Sequence, residues 1–359
     1  MIFDRLKKLD WVLTGALLFL AVVSLVTLAS YDMSYFSKQL IWYVIAFALI
    51  IFGSQLNWSW LIRWPAFRYG LYWLAVAFLI FSNLQSHLVR GTKSWLTFAG
   101  FQFEPAELAK LGLILVLAGF FTRRHVAVWR TKNLFTSFLY TLIPAGLIAI
   151  HPDLGSTIVV VSVWLGFVLM GGVNKKRFLI GLGVALGCGV LLWTSFLKPY
   201  QKDRLTAFLF PERDPLGINY NVIQAKIAIG SAGFFGKGFG EGTQTQFHFL
   251  PEAQTDFIFA AFTEEWGIFA DFLILLTFVI ILFRLVHIGL RAESNEAKFV
   301  VLGGALIFFT QFLINVGSNL GLVPVTGITL PFVSYGGSSL LTIATLVSII
   351  QHIKIESSG

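Results

Sequence analysis

Phe249-Leu-Pro-Glu-Ala-Gln-Thr-Asp-Phe-Ile-Phe, residues 249–259, carries a long polar loop into an apolar segment of about 28 residues, Asp256 to Phe283. A run of that length and composition crosses a bilayer. The junction sets two carboxylates, Glu252 and Asp256, near the lipid headgroups. Ionisable groups at membrane depth are expensive and mark functional sites. Two readings of the junction stand side by side. In one, Thr255 is the N-cap and Asp256 a first-turn acid that complements the helix dipole. In the other, Asp256 takes part in chemistry.

The composition extends the membrane reading to the whole chain. It is 57% hydrophobic and 12% charged, with mean hydropathy +0.79, against roughly 25% charged residues in soluble domains. The fold class is all-α, a polytopic integral membrane protein. The net charge of +8 reflects the positive-inside rule, not nucleic acid. A single cysteine, Cys188, excludes a disulfide framework and a thiol metal site. The short basic segment Met1 to Asp10 precedes an apolar run, Trp11 to Ala29, that reads as an uncleaved first span.

Bilayer-length runs recur at roughly 11–29, 39–56, 69–84, 105–122, 134–151, 156–172, 178–197, 256–283, 299–317 and 330–352. Ten spans place both termini on one side. With that side inside, sixteen of the 26 Lys and Arg fall in inner segments, and only Lys38, Arg90 and Lys93 in short outer loops. The pattern predicts cytoplasmic termini and one transmembrane domain, 1–359. A large extracytoplasmic loop, 198–255, lies between spans seven and eight, and its interspersed apolar stretches predict an interfacial, part-helical element.

Several residues could carry chemistry. Glu107 and Lys110 share a helix face, either as a neutralising pair or with Lys110 turned to an anionic substrate. Asp153, in His151-Pro-Asp-Leu-Gly-Ser, is a turn or cap residue, or lines a cavity. Glu264, Glu265 and Asp271 put three acids in span eight, with Glu264 and Asp271 on one face of a regular helix. The run 230–242 has six glycines in thirteen positions. It makes tight turns or, with Lys237, a backbone nest for phosphate. Arg204, Arg213, Lys226 and Lys237 make the loop a candidate anion surface. The six histidines lack metal-ligand spacing, while a carboxylate-held Mg²⁺ or Mn²⁺ leaves no such signature. Gly183 and Gly187 suit helix packing, and Ser334-Tyr-Gly-Gly-Ser-Ser suits close packing or an irregular cavity lining.

Five segments together resemble the SEDS family of bacterial cell-wall polymerases. They are Glu104-Pro-Ala-Glu-Leu-Ala-Lys, His151-Pro-Asp-Leu-Gly-Ser, Asp214-Pro-Leu-Gly-Ile-Asn-Tyr-Asn-Val-Ile-Gln-Ala-Lys-Ile-Ala-Ile-Gly-Ser, residues 249–259, and Leu330-Pro-Phe-Val-Ser-Tyr-Gly-Gly-Ser-Ser. Asp214-Pro-Leu-Gly and Gly242-Thr-Gln look more like the elongation branch than its division paralogue. Departures are Gln254 where His is usual, Ala232 where Gly is usual and Trp266 where Leu is usual.

The resemblance implies a peptidoglycan glycosyltransferase of the bacterial cytoplasmic membrane, with its active site facing outward. It would polymerise lipid II, release undecaprenyl diphosphate and work with a class B penicillin-binding protein. The family's essential aspartate falls on Asp256. A sugar hydroxyl is a weak nucleophile near neutral pH, so a positioned base contributes roughly 10²–10⁴-fold. Positive charge for the leaving diphosphate would come from Lys110, Arg204, Lys226 or a divalent cation. Glu107 would orient Lys110, with Asp153, Glu252 and Thr255 completing the expected substrate-binding set. The rival readings are a lipid II flippase or transporter, a division-specific polymerase of the same family in place of one for elongation and shape maintenance, and a non-catalytic scaffold for the penicillin-binding protein.

Overall fold

The computed structural model describes residues 2–84, 95–98, 101–124, 130–151, 153–171, 206–210 and 219–357, with 183, 202 and 217 singly. In chain order the helices are α1 (Ile2–Lys7), α2 (Trp11–Tyr31), α3 (Met33–Gly53), α4 (Trp58–Arg63), α5 (Pro65–Leu84), α6 (Pro105–Thr122), α7 (Thr131–Ile150), α8 (Leu154–Met170), α9 (Tyr220–Ser231), α10 (Thr243–Gln246), α11 (Ile258–Arg291), α12 (Asn295–Asn319) and α13 (Gly337–Glu356). A small antiparallel hairpin, β1 (Leu96–Phe98) and β2 (Phe101–Phe103), pairs Leu96 with Phe103 just before α6. Eight helices are long and apolar enough to cross a membrane, and α8, at 17 residues, is a shorter apolar helix. These nine correspond to nine of the ten expected spans. The expected seventh span, 178–197, and Arg204 lie outside the described residues.

Three boundaries differ from expectation. Asp32 closes α2 and its Oδ1 accepts from Ser34 N–H at 2.7 Å, so the second span starts at Met33 rather than 39. The last span starts at Gly337, because Leu330–Gly336 is held as a turn, with the Ser334 hydroxyl accepting from Leu330 N–H at 2.8 Å. The eighth helix begins at Ile258 and runs to Arg291, with a break at Gly267.

Helix α6 is the hub. It packs against α5, α7, α8, α12 and α13 and is buried over almost its whole length. Gly112 permits this approach, since a Cβ there would stand 3.1 Å from the Tyr72 Cα on α5. Polar residues on such a helix must find partners inside the protein, which water or headgroups would otherwise supply.

Helices α2 and α11 give the bundle its scale. At one end the Arg284 guanidinium grips the Asp10 carboxylate, with Nη2–Oδ2 at 2.5 Å, and Gln351 of α13 donates to the Asp10 carbonyl at 3.1 Å. At the other end the Ser30 hydroxyl donates to the Glu265 carboxylate, and Gln246 donates to the Ser30 carbonyl at 2.9 Å. Twenty helical residues separate Asp10 from Ser30, about 30 Å, which matches the hydrocarbon core of a bilayer. Glu264 and Glu265 therefore mark the other boundary of this bilayer-length interval, and Asp256 precedes them in the chain, at the end that carries the loop 233–246.

Gly267 (φ 79°) breaks α11 one turn inside that boundary. The break frees two carbonyls and two N–H groups, and the glycine-rich loop satisfies all four. Lys237 and Gly238 donate to the carbonyls of Glu264 and Glu265 at 3.0 Å each. Ile268 and Phe269 donate to those of Gly233 and Phe234 at 3.2 and 3.1 Å. The Glu264 carboxylate accepts from Lys237 Nζ at 2.7 Å, from the N–H groups of Gln244 and Thr245 at 2.9 and 3.1 Å, and from the Thr245 hydroxyl at 3.0 Å.

The glycine run makes tight turns, with positive φ at Gly233, Gly236, Gly238 and Gly240, and the N–H groups of Lys237 and Gly238 and the Lys237 ammonium serve the helix break instead of a phosphate. One expectation is corrected here. Glu264 and Asp271 do not share a face. Glu264 turns to the loop, while Asp271 accepts from the Thr263 hydroxyl at 2.9 Å.

Replacing Gly267 tests this joint. A Cβ at 267 would stand 2.3 Å from the Gly236 nitrogen, on a backbone with positive φ. Gly267→Ala is expected to lose at least about 1–3 kcal/mol from backbone strain, read as a lowered thermal unfolding midpoint in detergent.

Candidate functional site

The turn that carries Asp256 is pinned at successive carbonyls. Gln254 C=O accepts from Tyr335 N–H at 2.9 Å, and Thr255 C=O from the Ser334 hydroxyl at 2.6 Å. Asp256 C=O accepts from the amides of Asn315 at 3.1 Å and Asn319 at 2.9 Å, both on α12. Asn315 also donates to the Ile328 carbonyl at 2.8 Å. One amide thus ties the Asp256 turn to the strand-like segment at 328, where the position of a Cβ on Gly327 would be 3.7 Å from Asp256 Oδ2. Glu252 and Phe332 take left-handed φ values of 53° and 59°. Such strain concentrates at functional sites, where surrounding structure over-determines it.

Thr255 is not the N-cap. The N-cap position is Phe257, with no side-chain hydrogen bond. The Thr255 hydroxyl bonds Glu252 Oε2 at 2.9 Å, and Gln254 Nε2 also donates to Glu252 at 3.3 Å. Glu252 and Thr255 therefore brace the turn from within.

Three helices present acids at their N-terminal ends on this side. Glu104 stands at the N-cap position of α6, whose N–H bonds the Ser338 hydroxyl of α13 at 3.1 Å. Asp153 caps α8, its Oδ1 accepting from Ser156 N–H at 2.9 Å. Asp256 precedes α11. One turn into α6, Lys110 Nζ meets Glu107 Oε1 at 2.7 Å, with both side chains buried.

The electrostatics confirm that these groups share one neighbourhood. Burial pushes the Glu104 carboxyl well above the usual carboxylate range. The negative charges of Glu107, Asp153 and Asp256 add to this, and Lys110 opposes it. Burial also raises Asp153, against its hydrogen bonds from Ser156 and the attraction of Lys110. The structure thus gathers Glu107, Lys110, Asp153 and Asp256, and adds Glu104. Sequence reasoning quoted Glu104 within a motif but gave it no role, since a residue before proline reads as loop.

Lys226 stands apart from this group. It lines a neighbouring cavity of about 260 Å³ with Asn219, Asn221, Gly321 and Val325. The wall at Val323–Val325 leads within two residues to Gly327 beside Asp256. Among the described residues, no group of three or more His, Cys, Asp or Glu side chains is disposed to hold a metal ion.

Comparison with known proteins gives a consistent picture. A family model for FtsW, RodA and SpoVE, described as "Cell cycle protein", matches residues 5–359. The peptidoglycan glycosyltransferase MrdB of Escherichia coli K12 is 36% identical over 295 residues, covering 80% of this chain and 79% of that protein. A structure reported under "structural coordination of polymerization and crosslinking by a peptidoglycan synthase complex" superposes with TM-score 0.83 at 30% identity, over 97% of this chain and 98% of that one. The rod shape determining protein RodA of Thermus thermophilus superposes with TM-score 0.72 at 25% identity, over 98% of each chain.

The raised carboxyls give a pH test. Glu104 and Asp153 bind protons more tightly in the folded chain than unfolded. Their stabilisation is present below the ordinary carboxylate range and is lost as pH rises through their raised values. The variant combining Glu104→Gln and Asp153→Asn should come closest to the wild type at acid pH, below the ordinary carboxylate range. It should become progressively more stable than the wild type toward neutrality, measured by thermal unfolding across pH.

Proposed function

We propose a function from a plain premise: this chain belongs to the FtsW/RodA/SpoVE family. It is a peptidoglycan glycosyltransferase of the multi-span membrane type. The substrate is lipid II, a disaccharide-peptide on an isoprenoid diphosphate, and the product strand grows as undecaprenyl diphosphate leaves. The membrane is the bacterial cytoplasmic membrane, with both termini inside and the site facing outward.

One observation carries the mechanism. Asp256 precedes the boundary marked by Ser30 and Glu265, and it and Lys110 both act on Glu104, the residue that opens α6. A lipid-linked diphosphate sits at headgroup level, near that boundary. The N-termini of α6, α8 and α13 bring partial positive charge toward an anion. Lys110, oriented by Glu107, adds a full positive charge for the diphosphate as its bond to the sugar breaks. Asp256, held by a backbone pinned at three successive carbonyls, acts as general base on the acceptor hydroxyl. Glu104 and Asp153, which hold protons more readily than ordinary carboxyls, keep the net negative charge around the diphosphate low. Lys226 and its cavity receive a second anionic or polar part of the substrates.

A divalent cation fits only with help from substrate. Mg²⁺ is commonly bound by one or two carboxylates plus phosphate oxygens, and Asp256 with a neighbouring acid would supply the protein's share. The partner is a class B penicillin-binding protein. The likeness of the loop motifs to the elongation branch supports an elongation role.

The flippase reading needs polar groups that reach both faces. Glu104, Glu107, Asp153 and Asp256 gather at one end, while charged groups at the opposite end are spent on one another in the Asp10–Arg284 and Arg68–Glu296 pairs. Proteoliposomes that carry the protein and its partner, given lipid II on the outward-facing side alone, should form glycan strands with no lipid II crossing. Lipid II crossing without polymer would establish the flippase instead.

A further inference from the structure

A helix starts with N–H groups that its own turns cannot satisfy, and an aspartate near the first turn is a ready acceptor. Asp256 stands two residues before Ile258, where that demand falls on it. An aspartate spent on capping is a weak base, because backbone N–H groups and the helix field stabilise its charged form. Helix α11 draws an acceptor from elsewhere. Asn319 Oδ1, on α12, accepts from Ala260 N–H at 3.1 Å, and Asn319 Nδ2 donates to the Asp256 carbonyl at 2.9 Å. One side chain caps the third residue of α11 and holds the residue that precedes its N-cap.

Asn315, one turn earlier on α12, reinforces the arrangement through its bonds to the carbonyls of Asp256 and Ile328. Both amides are buried, at 1% and 0% exposure. A buried amide is costly unless bonded, and these two spend their donors on the Asp256 turn and its neighbours.

We infer that Asn319, supported by Asn315, is a positioning residue for the glycosyl transfer. By capping α11 from another helix and holding the Asp256 carbonyl, it fixes the backbone from which the Asp256 carboxyl reaches the reacting sugars. The inference rests on the polymerase reading above. The charged groups that share the Asp256 neighbourhood are Glu104, Glu107 and Lys110 from the α6 end, Asp153 at α8, and Glu252 in its own turn. None is changed in the test.

The test uses the full-length chain with its penicillin-binding partner in liposomes supplied with lipid II. It compares wild type, Asn319→Ala and Asn319→Asp after a check that each unfolds cooperatively and binds the partner. Asn319→Ala removes the acceptor, so the Asp256 carboxylate turns to Ala260 N–H. Turnover should fall about 10–100-fold with KM for lipid II within about twofold, and the acid limb of the kcat–pH profile should move down. Asn319→Asp keeps the acceptor, loses the donor to the Asp256 carbonyl and adds a like charge, so its acid limb should move up. Opposed shifts do not arise from general loosening.

Unchanged turnover and profile in both variants would overturn the inference. So would equal losses with no shift of the acid limb. If Asn319→Ala fails to fold, the direction of the shift in the near-isosteric Asn319→Asp decides. A wild type that makes no polymer would instead remove the polymerase reading, and the positioning role with it.

Discussion

The Asp256 carbonyl is where the structure is tied together. Two buried amides from α12 converge on it, and one of them reaches on to Ile328. The adjacent carbonyls are held by Ser334 and Tyr335 from the turn before α13. Ser338, at the start of α13, in turn holds the Glu104 N–H that opens α6, and Thr329 meets Ser339 at 3.2 Å. A short chain of hydrogen bonds thus links the Asp256 turn to the α6 end that carries Glu107 and Lys110. Each link is made by a backbone group or a short side chain, which fixes the backbone that carries the carboxylate. Positioning of that kind lets a modest base contribute to a reaction whose nucleophile is weak.

The membrane makes this arrangement demanding, because every backbone group it buries needs a partner. The Gly267 break shows how the demand is met. A regular α11 would have carried Glu264 and Glu265 into the hydrocarbon on one continuous helix. Instead the break lets the loop 233–245 enclose Glu264, while Ser30 and Gln246 hold Glu265. The glycine-rich loop is spent on this task. In the proposed function, anion recognition falls instead to the helix N-termini and Lys110.

Much of the fold was legible because each span is an apolar run of bilayer length, and hydropathy needs no knowledge of partners. Boundaries failed where a specific bond overrode the pattern. Leu330–Gly336 looks like the start of a span, yet Ser334 folds it into a turn against Thr255. Met33–Lys38 looks polar, yet Asp32 starts a helix there. At the site, Asp256, Glu107, Lys110 and Asp153 were legible as charges in costly places, and they lie together. Glu104 was hidden by the proline that follows it. Asn319 was invisible for a deeper reason: no spacing or periodicity couples residues 256 and 319, and a neutral amide on an apolar helix draws no notice. The resemblance moved Asp256 from helix cap to catalyst, and the structure supplies a physical reason why both roles need not compete.

The central claim is that the Asp256 carboxylate does the chemistry. The direct measurement is glycan strand formation from lipid II by purified wild type and Asp256→Asn, each with the penicillin-binding partner and each shown to fold and bind it. Asparagine keeps the size and the backbone bonds but not the basicity. The account predicts strands from the wild type and a loss of at least about 10²-fold in the variant, with partner binding unchanged. Equal strand formation by both would contradict it and return Asp256 to a structural role.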